Sequence, residues 1–293
     1  MKTTDTIISR RTFLAGSAAL GAAAMINPQK ALAAKPDSNF NGVQIGAITY
    51  SYRSMPSSAE DLLGYLVTNG LSSVELKGGP AEQYARDNAE GDGMDGLMAG
   101  YTKLRKLYND TGVNIHIVKF GNIGERRMPD KTIEYYLRAA KALGAKGITR
   151  EMSRPIARRL GPMADEHKVM IAFHNHTQIR NDSYDGDYLK HEYLGINLDI
   201  GHYMAGLNES PIPFIDRHHE KILSFHLKDR KKDEGPNMPW GEGDTPIAEV
   251  LQHVRDKKYD IHGDIEVEYP IASSSDAVKE VGICAEYCKN ALM

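Results

Sequence analysis

From residue 43 to the end of the chain, short apolar runs recur at regular intervals, separated by stretches whose apolar positions follow a helical period. Val43–Tyr50, Ser73–Leu76, Val113–Phe120 and Gly147–Glu151 read as strands in the first half. Val169–His174, Gly195–Ile200, Ile222–Leu227 and Asp264–Val267 read as strands in the second. Between them, Ser58–Asn69, Gly96–Thr111, Thr132–Leu143, Arg154–His167 and Thr245–Lys257 read as amphipathic helices. Strands with β-branched cores alternating with helices predict an α/β fold, a closed (β/α)8 TIM barrel. An open doubly wound sheet is the other arrangement such alternation permits. Its glycine-rich dinucleotide fingerprint is absent after the first strand, where Ile48-Thr49-Tyr50-Ser51-Tyr52-Arg53 stands. Two polar, glycine-containing stretches, Asp87–Gly96 and Lys231–Trp240, are expected to be βα loops over the top of the barrel, placed for substrate contact or as a lid.

The N-terminus does not share this pattern. Ser9-Arg10-Arg11-Thr12-Phe13-Leu14 is a twin-arginine signature, Ala15 to Met25 a modest small-residue apolar region, and Ala31-Leu32-Ala33 a small-x-small cleavage site. Residues 1–34 are therefore expected to be an export signal, and residues 35–293 a single barrel domain that works in the periplasm, with Lys35 to Asn41 as a short lead. Twin-arginine export moves proteins already folded, which suits a chain that takes up a cofactor before leaving the cytoplasm. The chain's 293 residues accommodate one barrel of about 250. With 36 basic and 39 acidic residues the net charge is −3, which argues against a nucleic-acid partner. No apolar run is long enough to span a bilayer in the mature chain. Cys284 and Cys288, four apart in the last helical stretch, are poorly placed for a disulfide and are expected to be reduced core residues.

A barrel gathers its C-terminal strand ends in one bowl, where such folds place their chemistry. Those ends supply Glu75, His116, Glu151, His174 and His176, Asp199 and His202, His226 and Asp229, and Glu266 and Glu268. Residues two apart on a strand face the same way, so His174 and His176 can both point inward, as can Glu266 and Glu268. Singly, each has an ordinary reading: a strand-end histidine held by a hydrogen bond, Glu75 paired with a lysine or arginine, His218-His219 on a helix surface. Recurrence changes the picture, because the fourth to eighth strands in succession end in histidine or carboxylate. Such groups converging on one point repel one another or stay unsatisfied without a cation. A divalent metal ion satisfies them, and Mn²⁺, Co²⁺, Mg²⁺ and Zn²⁺ all accept mixed nitrogen and oxygen ligands.

Four motifs, Asp199-Ile200-Gly201-His202, His226-Leu227-Lys228-Asp229, Gly241-Glu242-Gly243 and Val267-Glu268-Tyr269, make the mature chain resemble the xylose isomerase-like barrel family of sugar phosphate isomerases and epimerases. The resemblance implies a metal held by Asp199, His226 and Glu268, with Glu266 in place of Glu268 if the strand register differs. Where family members often read Glu-Asn-His on the fifth strand, this chain has His174-Asn175-His176. Where they often end the fourth strand in histidine, it has Glu151. Either His174 or Glu151 then supplies the remaining ligand. The resemblance also implies proton transfer next to a sugar carbonyl by two carboxylates, for which Glu151 and Glu268 are the candidates. His202 would contact a substrate oxygen, with Lys228 or Arg230 polarising it, and Asp229 would serve beside them or simply pair with Arg230. Three functions fit: a metal-dependent sugar isomerase or epimerase, a 3-keto-glycoside lyase or hydrolase using the same site, and a carbohydrate-binding barrel without catalysis. The partner in each case is a small sugar or glycoside, and a homo-oligomer is permitted. Export favours glycosides, since phosphorylated sugars are uncommon outside the cytoplasm. Apurinic endonucleases share the barrel, but they need a basic DNA-binding face, and a net charge of −3 and export argue against that reading.

Overall fold

The structure, a computed structural model, describes residues 35–293, so the expected export segment at residues 1–34 lies outside the described residues. Parallel strands β1 (Val43–Ile48), β2 (Ser73–Lys77), β3 (Asn114–Lys119), β4 (Gly147–Glu151), β5 (Met170–His174), β6 (Leu194–Asp199), β7 (Ile222–Leu227) and β8 (His262–Ile265) pair in chain order. β8 then pairs back onto β1, with Gly263 opposite Ile45 and Ile265 opposite Ala47, which closes the barrel. The expected strands are all present, with ends moved by a residue or two. The shift that matters is at β8, which ends at Ile265, so that Glu266 and Glu268 lie beyond it.

Helices α1 (Ala59–Thr68), α2 (Gly78–Asp87), α3 (Gly93–Asp110), α4 (Asp130–Leu143), α5 (Arg154–His167), α6 (Ile200–Leu207), α7 (Ile212–His218), α8 (Ile247–Lys257) and α9 (Ala277–Leu292) follow the strands. Their starts and stops follow local chemistry: Ser58 and Asp61 form a capping box on α1, and α4 stops at Gly144 with φ 76°. The Asp87–Gly96 stretch is a turn between α2 and α3, not a loop leaving a strand, because both of its flanks continue as helix. Lys231–Trp240 does leave β7, and begins beside a two-residue antiparallel bridge of Asp229–Arg230 with Asn237–Met238. Cys284 and Cys288 are buried thiols of α9, with no disulfide between them.

The two faces of the barrel differ in polarity. Outward-facing Ile45, Leu76, Phe173, Leu198, Phe225 and Ile265 are buried beneath the apolar stripes of the helices. Inward-facing positions carry Ser73, Glu75, His116, Asn197, Ser224, His226 and Asp264, all at most 1 % exposed. TIM-barrel interiors are ordinarily filled by branched apolar side chains, so this interior depends on polar groups satisfying one another. A β-bulge contributes: β2 pairs Val74 with Ile115 and Glu75 with Ile117, leaving His116 as the extra residue. Its ring stacks on that of His262, with centroids 3.4 Å apart and planes 8° from parallel.

Burial pushes His116 down to about 3 and His262 to about 4, with Lys146 adding to both shifts. An unfolded chain protonates both near pH 6.5, so below that pH protons favour unfolding, and stability falls by about 1.4 kcal/mol per pH unit for each histidine. Denaturant unfolding between pH 7.5 and 4.5 is expected to show this slope, and His262→Gln to flatten it by one histidine's share. An identical slope in the variant would contradict the assignment.

Candidate metal centre

The site is built at the mouth of the barrel around His226, whose side chain is fully buried between two carboxylates. Nε2 lies 3.0 Å from Glu75 Oε2, and Nδ1 lies 3.0 Å from Glu266 Oε2. Burial alone would push the imidazole down, but Glu266 and Glu75 together hold it well above its ordinary value. Asp199 ends β6 and caps α6, its Oδ1 accepting from the His202 backbone N–H at 2.7 Å. That cap leaves Oδ2 for the cavity. Asp199, His226 and Glu266 each offer a ligand atom, these atoms lie within 4.8 Å of one another, and all three residues are buried.

The donor set passes a direct test of fit for a cation. Asp199 Oδ2, Glu266 Oε2 and His226 Nδ1 are buried and none meets a partner in full hydrogen-bond alignment. They do stand close to charged neighbours, with Lys228 Nζ 2.9 Å from Asp199 Oδ2 and 2.7 Å from Glu266 Oε2. Close approach without hydrogen-bond alignment is the arrangement of groups aimed at a common centre rather than at each other. Two oxygens and an imidazole nitrogen suit a divalent ion of the Mn²⁺, Co²⁺, Mg²⁺ or Zn²⁺ kind.

His174, at the end of β5, adjoins this group. Its Nδ1 is 2.8 Å from Asn197 Oδ1 and its Nε2 is 3.9 Å from Asp199 Oδ2. Burial, with His226 and Lys119 nearby, holds it well below its ordinary value, so it is a neutral ligand-type imidazole. It belongs to two further groupings able to hold an ion, one with Asp199 and His202 and one with Glu151 and His176. Glu151 stands on the β4 side, clamped by Lys119 Nζ and His176 Nε2, each at 2.8 Å. Burial opposes ionisation there, but the His176 hydrogen bond, His174 and Lys119 hold the carboxyl well below the usual carboxylate range.

Glu268 is not part of the Asp199–His226–Glu266 grouping. Its Oε2 accepts from Lys228 Nζ at 2.6 Å. Lys228 is thus an ammonium among Asp199, Glu266 and Glu268, which outweigh the effect of burial and raise its pKa. His202 Nδ1 accepts from Arg230 Nη1 at 2.6 Å, since a guanidinium only donates. Lys228 Nζ, which also only donates, stands 3.3 Å from Nε2; the shorter Arg230 contact assigns the ring's proton to Nε2, and burial keeps the group neutral by lowering its pKa to about 4. Arg230 is otherwise fastened to the Gly235 carbonyl and does not line the cavity. Asp229 does not pair with it: its carboxylate accepts from the backbone N–H groups of Gly241, Gly243 and Thr245 and so shapes the loop after β7.

These side chains border a cavity of about 210 Å³. It is smaller than the roughly 300–1,000 Å³ of drug-sized pockets. Lys228, Glu151, His176 and Glu268 line it, and on the β1–β2 side so do Tyr50 and Lys77, the lysine 4.7 Å above the tyrosine ring. The residue patterns gave no sign of Tyr50, Lys77 or Asn197 as site residues, and they offered Glu75 a lysine or arginine partner where the structure gives it His226.

The sequence model of the xylose isomerase-like TIM barrel family matches residues 65–285, and the chain belongs to that family. A twin-arginine translocation pathway signal matches residues 8–26, which marks the protein for export across the membrane. No curated protein matches the chain. Among solved structures it is similar to a xylose isomerase domain protein from Alicyclobacillus acidocaldarius, with a TM-score of 0.66, 13% identity, and 85% of this chain and 98% of that chain covered. It is also similar to a sugar phosphate isomerase/epimerase from Parabacteroides distasonis, with a TM-score of 0.59, 15% identity, and 92% and 100% covered. The 3-keto-D-glucoside 4-epimerase YcjR from E. coli gives a TM-score of 0.59, 13% identity, and 85% and 99% covered. At these identities the likeness concerns the fold. Among the described residues no helix is long and apolar enough to cross a membrane.

The loop after β7 makes a local prediction. A Cβ on Gly243 would collide with the Asp229 carboxylate, which three backbone donors hold in place. Gly243→Ala is expected to cost about 1–3 kcal/mol of stability, read as a lowered melting temperature. Wild-type stability in this variant would show that the Asp229 hub is loose.

Proposed function

We propose that this protein is a metal-dependent sugar isomerase or epimerase that moves a proton next to a sugar carbonyl. The observation that carries the reading is the convergence of three buried ligand-type atoms, on Asp199, His226 and Glu266, within 4.8 Å of one another. His174, Asp199, His226 and Glu266 hold the ion in this reading, and Glu266 takes the place first expected of Glu268. A divalent ion there supplies a Lewis acid that polarises the carbonyl and acidifies the adjacent C–H. Two of the similar structures, a sugar phosphate isomerase/epimerase and a 3-keto-D-glucoside 4-epimerase, support sugars as the substrate class.

The chain's own residues account for the proton transfer. Glu151 and Glu268 are free of the ligand role, and they stand on opposite walls because β4 and β8 lie half a barrel apart. Glu151, kept ionised by His176 and Lys119, accepts the proton from one face of the carbon. The Lys228–Glu268 pair delivers a proton on the other, the ammonium passing it through Glu268 Oε2, which accepts from it, and becoming an amine. His202 donates Nε2–H to a substrate oxygen, and Lys228 Nζ is the second donor beside it. Arg230 is a positioning residue that fixes the His202 tautomer.

The export signal favours a second reading with the same first step. Proton removal beside the keto group of a 3-keto-glycoside would be followed by expulsion of the aglycone, making the protein a lyase or hydrolase. In either reading the mature protein, residues 35–293, works in the periplasm as one barrel domain.

Two sets of variants test the assignment. Metal content of the exported protein is expected near one divalent ion per chain in the wild type and in Glu268→Gln, and to be lost in Asp199→Ala, His226→Ala and Glu266→Ala. Glu268→Gln is expected to slow exchange of a substrate C–H with solvent deuterium by about 10²–10⁴-fold. Metal loss in Glu268→Gln with retention in Glu266→Ala would reverse the assignment. Absence of exchange across ketoses and 3-keto sugars, with saturable sugar binding intact, would make the protein a carbohydrate-binding barrel.

A further inference from the structure

We infer that Glu75, on the far side of the barrel interior, sets the tautomers of both histidines that face the ion, acting on His226 directly and on His174 through Asn197. The inference rests on the metal-site reading above and adds a positioning residue that the sequence motifs do not contain.

Glu75 comes from β2, which is not a neighbour of β6 or β7, so its side chain crosses the interior to reach them. Its Oε2 lies 3.0 Å from His226 Nε2 and 3.4 Å from Asn197 Nδ2. A carboxylate only accepts, so both partners must donate. For His226 this keeps a proton on Nε2, so that Nδ1, which faces Glu266 and Asp199, is the nitrogen that gives up its proton when an ion binds. The second contact decides the orientation of the Asn197 amide. Its Nδ2 faces Glu75 and Ser224 Oγ, the latter at 2.7 Å, so its Oδ1 faces His174 Nδ1 at 2.8 Å. The reverse amide orientation would set a carbonyl oxygen against the Glu75 carboxylate. An amide oxygen accepts, hence His174 carries its proton on Nδ1 and turns the Nε2 lone pair toward Asp199.

The two histidines therefore face the ion through different nitrogens, and one buried acid imposes both choices. Hydrogen bonds of this kind to the far nitrogen of a ligating histidine fix ring orientation and raise ligand basicity, and their loss typically costs 10–100-fold in metal affinity. Glutamine at position 75 keeps the shape but can turn an N–H₂ toward Asn197. The amide would then be free to turn over, and His174 to change tautomer.

The test uses the mature protein with ¹⁵N-labelled histidine and the Glu75→Gln and Asn197→Asp variants. In metal-free wild type, long-range ¹⁵N correlation spectra are expected to show His174 as the Nδ1–H tautomer. In Glu75→Gln a second, Nε2–H population is expected to appear at His174, although residue 75 does not touch that ring. Asn197→Asp keeps an acceptor for Nδ1–H, so it is expected to preserve the His174 tautomer. Co²⁺ titration is expected to give 10–100-fold weaker binding to Glu75→Gln, with a melting temperature close to wild type. An unchanged His174 signature in Glu75→Gln, or an Nε2–H signature already present in wild type, overturns the inference. If the wild type binds no divalent ion, the functional reading fails, while the metal-free spectra still decide the tautomer question.

Discussion

Everything at the mouth of this barrel follows from placing His226, dry and fully enclosed, between Glu75 and Glu266. A buried acid is tolerated only when paired or ligating, and a buried imidazole between two acids satisfies one by hydrogen bonding and confronts the other. Lys228 answers the same constraint one layer higher, standing among Asp199, Glu266 and Glu268. The interior is thus a ladder of compensated charge, where barrels of this class are ordinarily packed with branched apolar side chains. Asp264 extends the ladder downward: its two oxygens find no partner, and burial together with Glu75 raises its pKa well above the ordinary value, so it is held as a neutral acid.

The family's fifth-strand carboxylate is a histidine here, and a carboxylate stands on the fourth strand instead. The geometry gives that exchange a consistent meaning. A neutral His174 adds a nitrogen to the metal group without adding charge to an already acidic pocket. Glu151, locked by Lys119 and His176, adjoins His174 from the β4 side and lines the cavity. In the proposed function, metal binding and proton handling are divided between different carboxylates.

How much of this was legible in the sequence depended on whether the determining contacts were local. The strands and most helices could be read because alternation and helical period are local patterns, and Asp199 and His226 because they sit in short motifs at strand ends. Asp87–Gly96 misled because a polar, glycine-rich turn between helices looks the same in sequence as a loop leaving a strand. The choice between Glu266 and Glu268 turned on where β8 ends, and strand ends are poorly marked by composition. Glu75 was read as a strand-end group, but its partner was hidden, as was Asn197 altogether, for a different reason: their partners lie across the barrel, up to 151 positions away in sequence, and no local pattern encodes a through-barrel contact. Arg230 and Asp229 were recognised as site-associated, but which of them served the His202 ring and which the Gly241–Gly243 loop depended on side-chain direction alone.

The central claim is that one divalent ion is held by two imidazoles and two carboxylates at the ends of β5 to β8. X-ray absorption at the K-edge of the metal co-purifying with the exported protein tests it most directly. A nitrogen/oxygen shell whose multiple-scattering pattern fits two histidines, with no sulfur, is expected. A shell without imidazole scattering would contradict it.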